Sequence, residues 1–503
     1  MIDIIDHTNI IKAKVCECFC MFVTSSRSNG WINFDEIYYR VFYLQQMALT
    51  PTSLSYHKWV APSMPLFMEI FMFNWTNPEE FPEKKPRFKE LGPYRFREIR
   101  HHVNVSFHPH NSSVSYRTQR SWHFDPSSNG SLDDVITTLN VIAASAIFRS
   151  RYWNFLQQKG LSLGLAMFSQ HVSVTKTAGE MLFEGYEDPL LDLAKSLPSS
   201  ATGGAPLVDR FGWFYGRNNS IDTDGYVTIS SGTGPGSLPG QILRWNHQES
   251  LPFYEGKCSQ IVGSAGEFLP RDLSPQSTLR MFVPDLCRTV DMTYVDSGEQ
   301  QGIQFHKFAM LETSFDYSAA SSENACFCHG ECIWTGVMNV SACRFGSPSF
   351  LSLPHFLYAD PQLRENVEGM TPDPAKHSFY FGVEPKLGVP LDVAARFQFN
   401  VYIEPILHYN FLISFRIYEN VPRMLFPIFW VEQKVQVSGE VIEEIRMVRI
   451  LGDWGGVVCA CISLAFAVLA LMAGCCYRSE YVKPKDFIVD KPKDEAEMKL
   501  NPK

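Results

Sequence analysis

The spacing of apolar and polar residues changes along the chain, and each change predicts a different element. From Tyr94 to Phe124 apolar and polar positions alternate between turn residues, which is the period of half-buried antiparallel strands. From Ser131 the spacing of apolar residues becomes that of a helix. Asp134 follows Ser131 by three residues, as in a capping box, and Gly160 is predicted to end the helix. A helical stripe supports this prediction: Val141, Ala144, Phe148, Tyr152 and Phe155. A second helical stretch near 178–194 completes a helical insertion over 131–194 in a β-rich domain.

The stretch Gly455–Tyr477 contains no charged residue and lies between Asp453 and Arg478. At about 1.5 Å per residue it is long enough to cross a bilayer, so we predict a transmembrane helix over 453–477. The tail 478–503 carries several lysines, as expected of a cytoplasmic end: Lys483, Lys485, Lys491 and Lys493. Cys475 and Cys476 lie at the predicted cytoplasmic edge of the helix, where palmitoylation and simple packing are equally compatible with the sequence.

Two other stretches suggest chemistry that their context does not support. Residues 230–240, SSGTGPGSLPG, lack the Lys-Ser/Thr ending of a phosphate loop and predict a hairpin loop. The histidines of the alternating stretch, His101, His102, His108 and His110, are interpreted as solvated strand side chains, because alternation points neighbours to opposite faces. With no nucleophile elbow, zincin motif or dinucleotide fingerprint, we predict no enzyme activity, catalytic residue, metal or cofactor.

Composition narrows the class of protein further. The 503 residues are 45% hydrophobic, enough for a large buried core. The formal charge of -9 is small for a chain of this length, and the sequence contains no cluster of Lys and Arg residues that could attract phosphates. This excludes nucleic acid as a partner.

Sequons and cysteines place the bulk of the chain outside the cytosol. N-glycosylation sequons precede the predicted membrane helix at Asn74, Asn104, Asn111, Asn129, Asn218 and Asn339. The same region holds an even number of cysteines: Cys258, Cys287, Cys326, Cys328, Cys332 and Cys343. In an oxidising compartment such a set favours three disulfides, while CFCHGEC at 326–332 leaves a zinc site as the alternative.

Several stretches together resemble the class B scavenger receptor family, which includes a fatty-acid translocase, a high-density-lipoprotein receptor and a lysosomal integral membrane protein. They occur in order over about 400 residues: NPEEF (77–81), LGPYRFRE (91–98), EGYEDPLL (184–191), CSQIVGSAGEFLP (258–270), DLCRTV (285–290), SLPHFLYADP (352–361) and VEPKLGVPLDVAARFQFNV (383–401). The resemblance implies disulfides between Cys258 and Cys326, Cys287 and Cys343, and Cys328 and Cys332.

The fold that the resemblance implies is a β-rich α+β ectodomain over 39–452, an antiparallel β-barrel with a helical apical bundle at 131–194 and an internal lipid tunnel. Residues 1–38 form an atypical N-terminal segment without the first membrane helix expected of the family. The apex would be the ligand-facing surface, with cationic contacts from Arg149, Arg151 and Lys159 and apolar contacts from Phe148, Trp153 and Phe155. A solvated helix face over an ordinary core is the alternative for each of these residues.

The function implied is a cell-surface receptor that binds lipids or lipoproteins and passes lipid through its ectodomain to the membrane. The expected lipids are fatty acids, sterol esters, carotenoids or phospholipids; the apolar stretch 163–166 lacks the lysine pair of the fatty-acid translocase. Two alternatives remain: a lysosomal or endosomal sorting receptor for a protein cargo, and an adhesion receptor without lipid transfer. The tail has no acidic-dileucine signal, which favours the plasma membrane, and assembly into a homo-oligomer is left open.

Overall fold

The computed structural model describes residues 48–62, 66–202, 204–234, 237–317, 324–328, 332, 334–405, 416–418, 420–437 and 439–481. The predictions for the segment 1–38 and for nearly all of the tail 478–503 lie outside the described residues. One compact unit spans 40–444 and contains every described strand, whereas most of the last helix belongs to a separate unit.

Antiparallel strands form the framework of the unit at 40–444. They are β1 (Leu66–Trp75), β2 (Phe88–His108), β3 (Ser113–Phe124), β4 (Val135–Leu139), β5 (Ser173–Thr177), β6 (Val227–Ser230), β7 (Ile242–Trp245), β8 (Thr278–Val283), β9 (Arg288–Gln300), β10 (Ile303–Ala309), β11 (Val337–Asn339), β12 (Ser349–Ser352), β13 (Tyr380–Glu384), β14 (Val389–Ile403) and β15 (Met424–Gln436). The alternation predicted over 94–124 corresponds to the paired strands β2 and β3.

The helices are mostly short. They are α1 (Leu54–Val60), α2 (Val141–Ser150), α3 (Phe155–Met167), α4 (Pro189–Lys195), α5 (Ser199–Thr202), α6 (Pro361–Glu365), α7 (Pro374–His377) and α8 (Gly439–Tyr481), with a π-helical turn at Glu180–Glu184.

The main sheet is a nearly closed barrel. Its strands follow the order β7-β6-β3-β2-β1-β15-β14-β13-β10-β9-β8, and β11 and β12 join it through β14. The loop at Gly263 and Ser264 bridges the two end strands: the Ile242 N–H of β7 donates to the Gly263 carbonyl (2.9 Å), and the Phe282 N–H of β8 donates to the Ser264 carbonyl (2.9 Å). This bridge satisfies backbone groups that an open edge would expose. The predicted hairpin loop at 230–240 does connect two antiparallel strands, β6 and β7.

The helical insertion differs from its prediction at both ends. Ser131 caps no helix: the Asp134 carboxylate accepts hydrogen bonds from the Ser131 N–H (3.0 Å) and the Tyr94 hydroxyl (3.0 Å) in a turn. The following Val135-Ile-Thr-Thr run forms β4, because β-branched side chains favour a strand over a helix. Helix α2 begins instead at Asn140, whose side chain caps the Ala143 N–H.

Gly160, predicted as a helix stop, lies inside α3. That helix begins with a capping box between Asn154 and Gln157 and continues to Met167. Nothing approaches the position a Gly160 Cβ would occupy, so the glycine is tolerated on an open face. The second predicted stretch is helical in part, as the π-helical turn and α4.

Helix α8 covers the segment predicted to cross the membrane. The described apolar side chains between 453 and 473, among them Trp454, Leu464 and Leu469, are exposed, whereas Ile442 and Ile445 near the start of the helix are buried. Within the described residues, however, no helix combines the length and the apolar character that a bilayer crossing requires.

Candidate functional site

One face of the main sheet carries aromatic and charged residues in register. Met68 on β1 lies opposite Phe96 on β2 and Gln433 on β15, and Gln433 lies opposite Ala395 on β14; directly opposed side chains share a face. The two-residue period extends this set, which we call the inner face: Phe96, Glu98 and Arg100; Arg120, Trp122 and Phe124; Phe429, Val431 and Gln433; Ala395, Phe397 and Phe399. The intervening Arg97 and His123 are exposed, as expected of the opposite face.

Aromatic rings from the helical segment and its following loop cover the inner face. Phe183 stacks on Phe214 with 5.1 Å between ring centroids and lies 4.6 Å from Phe96. Trp213 contacts Phe429 at 5.0 Å, and Phe429 stacks on Phe399 at 4.7 Å. We call these six residues the aromatic cluster. Phe183, Trp213 and Phe399 remain only half-buried, so the cluster retains open apolar surface.

Glu98 is a buried carboxylate beside this cluster. Oε1 accepts from Arg100 Nη2 (2.7 Å), and Oε2 accepts from Trp122 Nε1 (3.2 Å) and from Gln433 Nε2 (2.8 Å). Burial alone would raise the pKa of Glu98, but the charges of Arg100 and Arg120 and these hydrogen bonds outweigh it and hold the pKa below its usual range. Glu98 is therefore ionised and ties β2, β3 and β15 together.

A chain of charged residues continues from Glu98. Arg120 Nη2 lies 2.7 Å from Asp224, whose pKa is raised by burial despite the opposing charge of Arg120. Farther on, Asp285 accepts from Arg217 Nη2 (3.1 Å), and Arg344 Nη2 donates to the Asp285 carbonyl (2.8 Å). Burial opposes ionisation of Asp285, yet the charges of Arg217, Arg120 and Arg344 lower its pKa strongly.

The structure pairs the cysteines as the resemblance implied. The disulfides join Cys258 to Cys326, Cys287 to Cys343, and Cys328 to Cys332. Cys287 follows the β8–β9 turn that carries Asp285, and Cys343 directly precedes Arg344. The bridge between these two cysteines therefore holds the turn close to Arg344. These six cysteines are thus unavailable as metal ligands, and within the described ranges no group of His, Cys, Asp and Glu could hold a metal ion.

The interpretation of the strand histidines as solvated is wrong for His102. His102 lies on the same face of β2 as Glu98 and is 3% exposed, with its ring stacked on Trp59 at 4.3 Å. Its Nδ1 lies 2.7 Å from the Trp59 carbonyl and its Nε2 lies 2.8 Å from Glu267 Oε1. Burial favours the protonated form of Glu267, but the charge of His102 and hydrogen bonds from His102 and Trp59 lower its pKa. His101, His108 and His110 are exposed as predicted.

A pair of buried histidines lies on the opposite face of the sheet. The rings of His355 and His377 stack at 4.4 Å, and His355 Nε2 lies 2.7 Å from Glu90 Oε2. The Asp373 N–H donates to His377 Nδ1 (2.9 Å), which requires that nitrogen to be unprotonated. Burial first, and then the neighbouring charge of His355, lower the pKa of His377 to about 4.

The six predicted apex residues have different environments. Phe148 is 8% exposed and packs into the core, so it presents little surface to a ligand. Arg149 Nη1 donates to the Phe345 carbonyl (2.6 Å), and the Arg151 guanidinium covers the Phe148 ring at 3.8 Å and lies 3.4 Å from Glu404. Trp153 is half-buried, whereas Phe155 is exposed and has Lys159 Nζ 6.0 Å from its ring centroid.

The most exposed apolar side chains of this region are not among the predicted ligand-facing residues. Tyr152, Leu156, Leu163 and Met167 are 77%, 78%, 70% and 69% exposed. Leu156, Leu163 and Met167 recur at helical spacing on α3. Their common face could have been predicted from the sequence if the helix had been expected to continue past Gly160. We call these four residues, together with Phe155, the α3 stripe.

The sequons divide by exposure. Asn104, Asn111, Asn129 and Asn218 are exposed, whereas Asn74 and Asn339 are half-buried. The Asn74 Oδ1 accepts a hydrogen bond from the Thr137 N–H (2.8 Å). Cys475 and Cys476 lie within α8, but their side chains are outside the described set.

The fold and inner face define a class: a disulfide-braced, β-rich domain whose barrel carries an aromatic interior surface. The sequence profile of the CD36 family matches residues 18–477. The chain belongs to the CD36 family.

Characterised relatives span most of the chain. It is similar to protein peste of Drosophila melanogaster, with 37% identity over 83% of this chain and 76% of that protein. Scavenger receptor class B member 1 of Cricetulus griseus is 33% identical over 79% of this chain and 76% of the relative. Lysosome membrane protein 2 of Homo sapiens is 30% identical over 78% of this chain and 79% of the relative.

Proposed function

We propose that this protein is a membrane-anchored class B scavenger receptor that binds lipids or lipoprotein particles at its helical segment and passes lipid along the inner face toward the bilayer. The observation that carries the proposal is the aromatic cluster, in which Phe183, Trp213 and Phe399 keep half-buried apolar surface at the inner face of the barrel. An ordinary packed core would bury these rings completely.

Water is the barrier that such an interior removes. Each methylene shielded from water contributes about 0.8 kcal/mol, or roughly 12 kcal/mol for a sixteen-carbon chain. Transfer from a lipoprotein to a bilayer leaves the chain in an apolar environment at both ends. A dry path through the protein therefore needs neither a catalytic residue nor an energy source.

The α3 stripe is the proposed contact surface for particles. Its side chains are exposed in spite of their apolar character, with Lys159 beside Phe155 as a cation for anionic headgroups. Arg149 and Arg151 support this surface through their contacts to Phe345, Phe148 and Glu404.

The remaining parts of the proposal concern the membrane. The uncharged stretch 455–477 of α8 supports anchoring there, with the tail in the cytosol and Cys475 and Cys476 as palmitoylation sites. The exposed Asn104, Asn111, Asn129 and Asn218 are the best candidates for glycans on an extracellular ectodomain.

The test is selective lipid uptake by cells that express the full-length protein. Particles carrying a labelled, non-hydrolysable sterol ether in the core and a labelled apolipoprotein on the surface should deliver more ether than apolipoprotein. Equal delivery of the two labels would contradict lipid transfer, and particle binding without transfer would then be the function that remains.

A lysosomal or endosomal receptor is the second candidate, favoured by the similarity to lysosome membrane protein 2. Surface biotinylation and immunofluorescence of the full-length protein separate the two locations. Predominant overlap with a lysosomal marker would favour the second candidate.

A further inference from the structure

The six cysteines of the three disulfides differ in their access to solvent. Five of them are buried or half-buried: Cys258, Cys287, Cys328, Cys326 and Cys343. The sixth, Cys332, is exposed. A thiolate opens a disulfide by attacking one of its two sulfur atoms, so access to a sulfur limits the reaction. The bridge between Cys328 and Cys332 therefore offers a point of attack that the two long bridges lack.

The buried end of this bridge is held in place by contacts that do not depend on the bridge itself. Two residues before Cys328, Cys326 is bonded to Cys258. Between Cys326 and Cys328 lies Phe327, whose ring centroid is 3.5 Å from the guanidinium carbon of the buried Arg288. Cys328 is thus anchored by a second disulfide and by a cation–π contact on the residue next to it.

The arginine that covers Phe327 is itself fixed. Arg288 Nη1 donates to the Tyr317 hydroxyl (3.1 Å), and Arg288 Nη2 donates to Asn324 Oδ1 (3.2 Å). Asn324 Nδ2 in turn donates to the Thr313 carbonyl (3.3 Å). Opening the bridge between Cys328 and Cys332 breaks none of these contacts, so we expect Cys328 to keep its position.

The chain is fixed again shortly after Cys332. The Gly336 N–H donates to the Phe315 carbonyl (3.0 Å), and the Asp360 N–H donates to the Thr335 carbonyl (3.1 Å). Strand β11 then pairs with β12. Opening the bridge therefore releases only the few residues between the two anchored ends, and the two cysteines stay within reach of each other for reclosure.

The bridge also closes the shortest loop of the three. Its cysteines are 4 residues apart in sequence, whereas those of the long bridges are 56 and 68 apart. In the chain-entropy model a disulfide stabilises a fold more when it closes a longer loop. Reduction of the local bridge therefore costs the fold the least.

We propose that the bridge between Cys328 and Cys332 is a site of reversible thiol–disulfide exchange with a small thiol of the glutathione type. The thiolate attacks Cys332 Sγ, forms a mixed disulfide and displaces Cys328 as a thiolate, which takes up a proton. A second thiolate attacks the reagent sulfur of the mixed disulfide and releases Cys332, which is also protonated. Two molecules of the reagent become one disulfide, and one protein disulfide becomes two thiols. This inference is independent of lipid transfer.

The test is the rate of reduction at each cysteine of the full-length protein in phosphatidylcholine nanodiscs. Free thiols, such as Cys461, are first blocked with N-ethylmaleimide, and reduced glutathione is then added. Samples are quenched in isotopically labelled N-ethylmaleimide, digested without reductant and analysed by mass spectrometry. Cys328 and Cys332 should be labelled together, about tenfold or more faster than any cysteine of the long bridges. The early glutathione adduct should be on Cys332.

Two further measurements make the result decisive. In guanidinium chloride, where the fold no longer shields any sulfur, the three bridges should open at similar rates. Oxidised glutathione added to the reduced protein in nanodiscs should restore the bridge between Cys328 and Cys332 with both long bridges intact. In the double variant Cys328→Ser, Cys332→Ser, the long bridges should resist glutathione as they do in the wild type.

Four results would overturn the inference. They are opening of a long bridge first or at the same rate, a glutathione adduct on Cys328 instead of Cys332, selectivity that persists in guanidinium chloride, and reoxidation to other pairings. Loss of resistance of the long bridges in the double variant would also overturn it, because the local bridge would then be needed to hold the fold together.

Discussion

The buried carboxylate of Glu98 offers a quantitative test of the inner face. Replacing Glu98 by Ala removes the acceptor of Arg100, Trp122 and Gln433 and leaves their donors buried without a partner. Breaking one side of a buried ion pair costs about 3–5 kcal/mol. For the roughly 400-residue unit at 40–444, an unfolding entropy of about 2.1 cal/mol/K per residue converts this cost into a fall in Tm of about 4–6 °C.

The assay is thermal unfolding of the full-length protein in detergent, followed by tryptophan fluorescence at pH 7. Glu249→Ala is the control, since Glu249 makes an exposed pair with Arg244 and should shift Tm by less than about 1 °C. Because the folded-state pKa of Glu98 is depressed, its contribution is present above the unfolded-state pKa and lost as pH falls through the folded-state pKa. The difference between wild type and Glu98→Ala should therefore shrink in acid. Equal Tm values for Glu98→Ala and Glu249→Ala at pH 7 would show that the buried Glu98 carboxylate does not stabilise the fold.

Four other perturbations have expected outcomes. Cys287→Ser opens a bridge across 56 residues, about 4 kcal/mol in the chain-entropy model, and should retain the protein in the endoplasmic reticulum with immature glycans, as read by endoglycosidase sensitivity. Ala395→Trp fills the inner face between β14 and β15 and should reduce sterol-ether uptake while particle binding persists. The double change Leu156→Ser, Leu163→Ser removes exposed apolar surface and should weaken particle binding, with the free energy of unfolding altered by less than about 0.5 kcal/mol. The pKa of His377 is about 4 in the folded protein and about 6.5 in the unfolded chain, so the unfolded state binds more protons between these two pH values. The free energy of unfolding should therefore decrease as pH is lowered from about 6.5 to 4, and the decrease should be smaller in His377→Gln.

Each of these has a matched control. Cys461→Ser, in α8, should leave glycan maturation intact. Gln304→Trp places the same bulk on an exposed strand position and should not affect uptake, whereas Leu243→Ser removes apolar surface on β7 and should not affect binding. An exposed histidine, His101→Gln, should leave the pH dependence of unfolding unchanged. A control that behaves like its test variant would remove the support for that assignment.

The local sequence pattern was sufficient to predict the β hairpins, but it failed where contacts between distant parts of the chain determine the structure. The alternation over 94–124 predicted β2 and β3, because one residue in two faces the core. It could not show that His102 meets Glu267, which lies far away in sequence and reaches β2 only through the folded barrel. In the same way, Ser131 and Asp134 have the spacing of a helix start, but Tyr94 from β2 holds Asp134 in a turn.

The candidate site was also predictable only in part. The resemblance led to the helical segment, yet Phe148 faces inward while Leu156 and Leu163 face outward, a distinction that depends on where α2 ends and α3 begins. The charged cluster left no pattern along the chain. Arg120, Arg217, Asp285 and Arg344 come from separate segments that only the barrel and its disulfides bring together.

The most direct measurement of lipid passage is photocrosslinking to the full-length protein. A sterol ester with a diazirine on its acyl chain is delivered from lipoprotein particles, irradiated, and its attachment sites are mapped by mass spectrometry. Lipid passage along the inner face predicts adducts on the aromatic cluster, at Phe183, Trp213 and Phe399, which retain open surface. Adducts confined to the α3 stripe and the outer surface, with none on the aromatic cluster, would contradict it.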